Sequence, residues 1–363
     1  MSEVTDKTVE FLLRHSASRR PPDIGSLKEK AFERVNWRDA FDRFQETERL
    51  TLWETKSELD GVDEGAYRVA RDALFPFAVS GSQGAVSFGN RAGHKLREVM
   101  EATGVWEHLQ RETSGQKGAV VFADVCGGPG AFSQALFEMS RQYKLRMRGF
   151  GMTLRNVRGL DWYSSLPLGK FLPTYGIDGT GDIFNLANIE ALLSLTIRER
   201  LKLVVADGGF NVPFNIANYQ ETLSGRILFG QWLAALKLLR PGGCFILKLF
   251  DTFSPLSRAL LYLSTYLYDR VHVVKPRHSR VVNSERYLVC LGFLGTPGPW
   301  MEYFEHCYQV GFSDNDSIPK IMPTSWVMED KTFMKDLKQM NSTIASNQTL
   351  ALKMVLAKLQ PSW

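Results

Sequence analysis

The chain is poor in residues that staple a fold covalently or through metal. It has four cysteines in 363 residues (Cys126, Cys244, Cys290 and Cys307), with no CxxC pair among them. That spacing argues against a zinc site and a disulfide framework, and it fits a reducing compartment. Long apolar runs are also missing. The N-terminus, MSEVTDKTVEFLLRHSASRR, lacks the apolar core of a secretion signal. The most apolar later stretch, ALLYLSTYLY from Ala259, lies between Arg258 and Asp269 and is only ten residues long, where roughly twenty are needed to span a bilayer. No repeat, low-complexity segment or metal-ligand spacing stands out. A soluble cytosolic or nuclear protein, without metal or membrane association, is the expectation.

What is present reads as an ordinary folded chain, 44% hydrophobic and 23% charged. Length alone leaves open one large domain or two small ones. The net charge of +5 permits a polyanionic partner without requiring one.

Residues 1–65 read as a charged helical extension, because Trp37, Phe41, Phe44 and Leu50 recur at near-helical spacing after the Pro21-Pro22 break. Such a segment serves either packing or a specific RNA or protein contact. From about residue 118 short apolar strands alternate with helices. Strands are expected at GAVVFAD (118–124), MRGFGMT (147–153), LKLVVAD (201–207), CFILKLF (244–250), VHVVKP and YLVCLGF, with a long loop from 154 to Asp182. This alternation builds a doubly wound, mostly parallel sheet with ligands at the strands' C-terminal ends. The HSRVVNSER connection is too short for a crossover helix, so the last strand is expected to run antiparallel. The fold class is therefore α/β: a Rossmann-like class I methyltransferase sheet with helical N- and C-terminal extensions. The expected divisions are 1–65 (N-terminal extension), 66–330 (methyltransferase domain) and 331–363 (a C-terminal helical extension packed on it).

Two segments suit a cofactor. DVCGGPGAF places Gly127, Gly128, Pro129 and Gly130 between a buried strand ending in Asp124 and a helix, where the backbone can approach a ligand closely. A dinucleotide site would need G-x-G-x-x-G, and the glycines here are too compressed. In GIDGTGDIF, Asp182 and Ile183 suit an adenine held by an acid and an apolar contact; the alternative is a plain turn with Asp182 capping the next helix.

Three ionisable residues fall where this topology puts its active site: Asp207, Lys248 within FILKLF, and Glu285 in NSERY. An ammonium between Leu247 and Leu249 is costly unless paired. Methylating a ribose hydroxyl requires deprotonating a poor nucleophile, and a lysine serves as base only if its pKa falls toward neutrality. A carboxylate alone pushes the other way, so a second lysine is expected, and Lys95 is the candidate. The alternatives are a structural Lys248–Asp207 salt bridge and a solvated Lys95. His94 and His278 read as surface or RNA-adjacent residues.

At these residues the chain resembles a family. FADVCGGPGAFSQAL, RGFGMTL, IDGTGDI, ADGGF, LRPGGCFILKLFDTFSP and KPRHSRVVNSERYLVCLGF are similar to the cap-specific mRNA 2′-O-ribose methyltransferases that form cap 1, within the FtsJ-like fold, from about Asn90 to Phe293. The compact size resembles the kinetoplastid-like members more than the multidomain animal ones. The resemblance implies S-adenosylmethionine as cofactor and transfer to the first transcribed nucleotide of 7-methylguanosine-capped RNA (mRNA, spliced-leader or small nuclear RNA). It also implies a nuclear location and a protein partner in the capping machinery. It places the family's Lys-Asp-Lys-Glu tetrad on Lys95, Asp207, Lys248 (the base) and Glu285. Cofactor contacts fall on Asn90, Asp124, Gly128, Pro129, Gly130, Asp182, Ile183 and Asp207. For capped RNA it points to Arg68 and Arg71 on the triphosphate and to Asn283 and Ser284 lining the substrate side. The loop after Asp207 offers Phe210, Phe214, Asn218 and Tyr219 to the methylated guanine, although the acid that relatives carry before this asparagine is Ala217 here. Lys275, Arg277 and Arg280 are either phosphate contacts or a solvated basic loop. The competing readings are an FtsJ-like enzyme of internal rRNA or tRNA ribose and a non-catalytic cap-binding subunit. A dehydrogenase is disfavoured by the compressed glycine turn and by the missing acid after FGMT.

Overall fold

The computed structural model describes residues 4–24, 27, 33–76, 90–114, 118–199, 201–210, 212–314 and 316–360. In chain order the elements are β1 (Val9–Leu13), β2 (Glu33–Asn36), α1 (Glu46–Ser57), α2 (Glu64–Leu74), α3 (Arg91–Thr103), α4 (Val105–Thr113), β3 (Val120–Val125), α5 (Ala131–Met139), β4 (Met147–Met152), β5 (Phe171–Thr174), α6 (Leu186–Thr196) and β6 (Leu201–Ala206). They continue as α7 (Gln220–Leu223), α8 (Gly225–Leu238), β7 (Cys244–Leu249), α9 (Pro255–Leu267), β8 (Tyr268–Lys275), β9 (Arg286–Phe293), α10 (Gly298–Gly311), β10 (Ser317–Lys320), α11 (Thr324–Met328) and α12 (Lys331–Leu359).

Every residue of β3 is buried, as a central strand covered on both faces requires. Its alternate side chains feed two cores. Val120 and Phe122 join Leu96, Trp106 and Leu136 from α3, α4 and α5. Val121, Ala123 and Val125 join Ile189, Trp232, Leu263 and Phe304 from α6, α8, α9 and α10. The sheet order is β1-β8-β9-β7-β6-β3-β4-β5. β5, β4, β3, β6 and β7 run parallel, while β9 returns antiparallel to both β7 and β8. The reversed last strand is therefore inserted between two others and does not lie at an edge.

Two expectations need correction. Residues 1–65 are not simply helical. β1 reads VEFLL with alternating exposure and joins the main sheet antiparallel to β8, because a period of two fits a half-buried strand. β2 pairs with β10, and among the described residues the first α-helix is α1. The loop expected before Asp182 contains β5, FLPT, on the sheet edge, where Pro173 forfeits no interior hydrogen bond. The terminal segments meet each other, since α12 packs against α1, α2 and β1. No helix among the described residues is long and apolar enough to cross a membrane.

Candidate active site

Parallel strands deliver their C-terminal ends to one edge, and the antiparallel β9 begins at that same edge. Asp124 at the end of β3, Asp207 just past β6, Lys248 near the end of β7 and Glu285 just before β9 are gathered there. Lys95 reaches the same place from the second turn of α3.

Lys95 Nζ lies 2.6 Å from Glu285 Oε1. Lys248 Nζ donates to the main-chain oxygen of Asp207 at 2.6 Å and lies 3.3 Å from its Oδ1. The Tyr287 hydroxyl joins the two pairs, donating to Asp207 Oδ1 at 3.0 Å and lying 3.3 Å from Glu285 Oε1. The four expected residues thus form one network with Tyr287 at its centre.

Burial alone would raise the Glu285 pKa, but Lys95 and Lys248 outweigh it and hold the carboxyl below its usual value. Lys248 departs from expectation. Burial pushes its ammonium toward losing the proton, yet the carboxylates of Asp207 and Glu285 prevail, and its pKa is raised above that of an ordinary lysine. The second lysine does not lower it in this arrangement, since Lys95 is itself paired to Glu285.

At the glycine turn, Asp124 is fully buried. Its Oδ2 accepts from the Ser133 amide at 3.1 Å and the Ser133 hydroxyl at 2.6 Å, while Oδ1 has no partner among the described residues. Burial pushes this carboxyl up to about 7. A Cβ on Gly127 would stand 2.1 Å from Asp124 Oδ1, and one on Gly128 would stand 2.4 Å from Leu160 O. Gly130 takes φ +104° as the N-cap of α5, which has no side-chain cap. Asn90 caps α3 through the amides of Ala92 and Gly93 and donates to the Tyr163 hydroxyl at 2.8 Å. Asp182 Oδ1 accepts from the Phe184 amide at 2.9 Å; Asn185, not Asp182, caps α6. Ile183 is buried beside it.

Two cavities share the edge. One, of about 440 Å³, is lined by Lys248 and Glu285 with Gly209, Phe210, Gln220, Phe250, Asn283 and Ser284. The other, of about 190 Å³, is lined by Lys56, Asp60, Tyr67, Ala217, Asn218 and Gln348, and it shares Gln220, Asn283 and Ser284 with the first. Phe210 is 45% exposed at the rim of the first. Asn218 donates to Ser57 Oγ at 3.1 Å and leaves its buried Oδ1 without a partner. Tyr219 packs against Trp37 and Trp53 and lies outside both linings. The side chain of Phe214 lies outside the described residues.

The basic candidates divide. Arg68 forms an exposed helical pair with Glu64 and lines neither cavity. Arg71 pairs with Asp72 at 2.8 Å, its guanidinium 5.6 Å from the Tyr67 ring. The Arg280 pKa is lowered by burial and by Arg91 and Arg71, so the three arginines repel one another, and Arg71 and Arg280 both act on Tyr67. Arg277 is exposed and faces Asp6 at 3.3 Å. Lys275 does not face outward as a phosphate contact would: it is buried and, among the described residues, donates to the main-chain oxygens of Asn283 and Glu285 and to Asn283 Oδ1. His94 stacks on His278 with centroids 4.8 Å apart, and His278 also engages Glu98.

Ser284, expected to line the substrate side, is buried and donates to Asp251 Oδ2 at 2.8 Å. The cations around it were not expected from the sequence. Lys56 from α1 reaches both Asp251 at 3.1 Å and Ser284 at 3.0 Å, and Arg286 holds the other Asp251 oxygen at 2.9 Å. Arg286, like Lys248, is a cation set in an apolar strand, where burial requires a partner.

The FtsJ-like methyltransferase model matches residues 88–293. The chain is 62% identical over 99% of its length to the cap-specific mRNA (nucleoside-2′-O-)-methyltransferase 1 of Trypanosoma brucei brucei, covering 97% of that protein. It is 55% identical over 98% of its length to the protein of the same description from Leishmania braziliensis, covering 91% of it. The Xenopus laevis counterpart is 32% identical over 86% of this chain, which spans 38% of that protein. A sheet with one inserted reversed strand, a glycine cradle and a Lys-Asp-Lys-Glu network at a single edge agree with this similarity: the chain belongs to the FtsJ-like methyltransferase family, in its cap-specific mRNA (nucleoside-2′-O-)-methyltransferase 1 branch.

Proposed function

We propose that the chain transfers a methyl group to the ribose 2′-hydroxyl of the first transcribed nucleotide of 7-methylguanosine-capped RNA, converting cap 0 to cap 1. The observation that carries this reading is the pair of adjoining cavities. One has Lys248 on its wall for a ribose, and its neighbour is lined by Tyr67, Asp60 and Asn218 for a cationic base.

The residues fit S-adenosylmethionine as methyl donor. Gly127 and Gly128 lie where a side chain would collide with the fold, the α5 N-terminus is uncapped, and Asp124 keeps a buried acceptor free. Asn90, Asp124 and the Gly128-Pro129-Gly130 turn would hold the amino-acid and ribose parts, and Asp182 with Ile183 the adenine. When bound, this group supplies an electrophilic methyl on a cationic sulfur, and a positive charge beside Lys248 favours the neutral amine.

The chain's own residues then do the following. Lys248, as the neutral amine, would take the 2′-hydroxyl proton, leaving the oxygen an electron pair for the methyl that is released as the donor's carbon–sulfur bond breaks. Asp207 orients the amine through both contacts described above. Glu285 pairs with Lys95, so the two lysines are balanced by two carboxylates and the donor's charge tips the site toward the neutral amine. In the second cavity Tyr67 offers a ring face, Asp60 supplies the acid that Ala217 lacks, and Asn218 Oδ1 accepts from the guanine edge. Arg71, Arg91 and Arg280 face the triphosphate. Phe210 and Asn283 border the target nucleotide; Ser284 shapes that wall by holding Asp251.

The test is methylation of one RNA with and without its 7-methylguanosine cap, followed by nuclease mapping of the labelled nucleotide. Label on the first ribose of the capped RNA alone is expected. Equal labelling of internal ribose on uncapped RNA would favour an rRNA- or tRNA-type enzyme, and binding without transfer would favour a cap-binding subunit. The same reading extends to capped spliced-leader and small nuclear RNAs, a nuclear site of action and a partner in the capping machinery. Immunoprecipitation from nuclear extract, with sequencing of bound RNA and identification of bound protein, tests these together.

A further inference from the structure

The segment carrying Asn283, Ser284 and Glu285 belongs to no helix or strand, so its backbone groups must find partners elsewhere. Lys275, the last residue of β8, supplies them. It is 7% exposed, and its Nζ donates to Asn283 O at 2.6 Å, Asn283 Oδ1 at 3.0 Å and Glu285 O at 2.7 Å. Burial pushes the Lys275 pKa well below the ordinary lysine value, but three acceptors within 3.0 Å of Nζ match the three N–H donors of an ammonium, all committed to this one segment. Ser279 Oγ adds a fourth bond, to Glu285 O at 3.1 Å. Lys275 lines neither of the two cavities at the edge, so it touches no reacting group there, although its charge also helps hold the Glu285 pKa down.

We propose that Lys275 is a positioning residue for methyl transfer, fixing the backbone on both sides of Ser284. It thereby sets the Glu285 carboxylate against Lys95, and the wall that Asn283 and Ser284 give to both cavities. This rests on the reading of the site given above.

Packing alone does not account for the residue. Burying an ammonium is costly, and a methionine of similar length would fill the space without that cost. What methionine cannot do is satisfy two main-chain carbonyls and an amide oxygen at once. The direction of the bonds also matters. They grip the backbone before and after Ser284, leaving the side chains of Ser284 and Glu285 to be placed by Asp251 and Lys95. The glycine turn and Asp182 have no such link to Lys275, so cofactor affinity should be insensitive to it.

The experiment uses the full chain as wild type, Lys275→Met and Lys275→Ala. It measures single-turnover methyl transfer to capped RNA, affinity for S-adenosylhomocysteine and thermal melting. Lys275→Met is expected to melt cooperatively and bind S-adenosylhomocysteine within about twofold of wild type while transferring methyl about 100-fold more slowly, the scale of loss for a reacting group displaced by about an ångström. In Lys275→Ala, added propylamine is expected to restore part of the rate saturably, and propanol, with a single donor, is not. A Met variant that transfers methyl within about threefold of wild type would overturn the proposal. So would a Met variant that loses its melting transition or its cofactor affinity, and so would an Ala variant relieved equally by amine and alcohol. If wild type itself fails on capped RNA, the underlying reading fails instead.

Discussion

Lys248 and Tyr287 are register partners across the antiparallel β7–β9 pair, and the Tyr287 hydroxyl bridges the acid beside Lys248 to the acid beside Lys95. The sheet itself, by its register, spaces the two ion pairs. Tyr287 is buried and its pKa is raised well above the usual phenol value, by burial first and then by Asp207 and Glu285, so it remains a donor throughout the working range.

Tyr287→Phe removes only that hydroxyl. The Asp207 carboxylate then loses its donor and the bridge to Glu285 is gone, and methyl transfer is expected to fall about tenfold with the ring's packing intact. Stopped-flow or quench kinetics on capped RNA check this; an unchanged rate would show that the bridge is idle.

Lys248 carries a pKa raised by its carboxylate neighbours, so the rate is expected to climb with pH as the neutral amine becomes populated. Glu285→Gln removes one of the charges that hold its proton. The rise should therefore move to lower pH even though the maximal rate falls, and a pH–rate profile of both proteins reads it. A shift to higher pH would contradict the assignment.

Asp124 is held near 7 by burial, against about 4 in an unfolded chain. The folded state therefore favours its protonated form. Its stabilising contribution is complete below the unfolded value and is lost as pH rises through 7. Asp124→Asn imitates the neutral acid, so its stability relative to wild type should improve between pH 4 and 7 by up to about 1.4 kcal/mol per pH unit. Urea unfolding across that range measures it, and a flat difference would argue that Asp124 is ionised when folded.

Asp251 sits between Lys56 and Arg286, and despite burial these cations and Ser284 hold its pKa below the usual value. Its contribution is present above the unfolded carboxyl value and is lost as pH falls through the folded one. Asp251→Ala leaves Arg286 buried and unpaired and should destabilise the fold by about 3–5 kcal/mol. Thermal or urea unfolding checks it. A variant within about 1 kcal/mol of wild type would mean that water replaces the carboxylate.

Much of this was legible in the chain. A lone lysine in FILKLF, an acid closing LKLVVAD and the glycine run after FAD each break a local rule that folding alone would enforce, and each lies at the active edge. The parts that escaped depend on partners far apart in sequence. VEFLL alternates like a strand but is a short run in a charged segment, and only β8 gives it a ladder. Lys275 reads as one more cation in a basic loop, and its burial is decided by a turn eight to ten residues later. Lys56, Ser284 and Asp251 meet in one cluster that links α1 to the loops after β7 and before β9. The raised pKa of Lys248 escaped for the same reason: motif spacing brings Lys95 near, but Glu285 engages it first.

The account turns on Lys248 removing a proton from one particular sugar oxygen. The most direct measurement is transfer of labelled methyl to a capped oligonucleotide whose first nucleotide is either ribose or 2′-deoxyribose, with wild type and Lys248→Met. Label is expected on the first ribose with wild type, none with the deoxy substrate, and a loss of about 10²–10⁴-fold with Lys248→Met while S-adenosylhomocysteine still binds. Methylation that survives Lys248→Met, or that persists on the deoxy substrate, would contradict it.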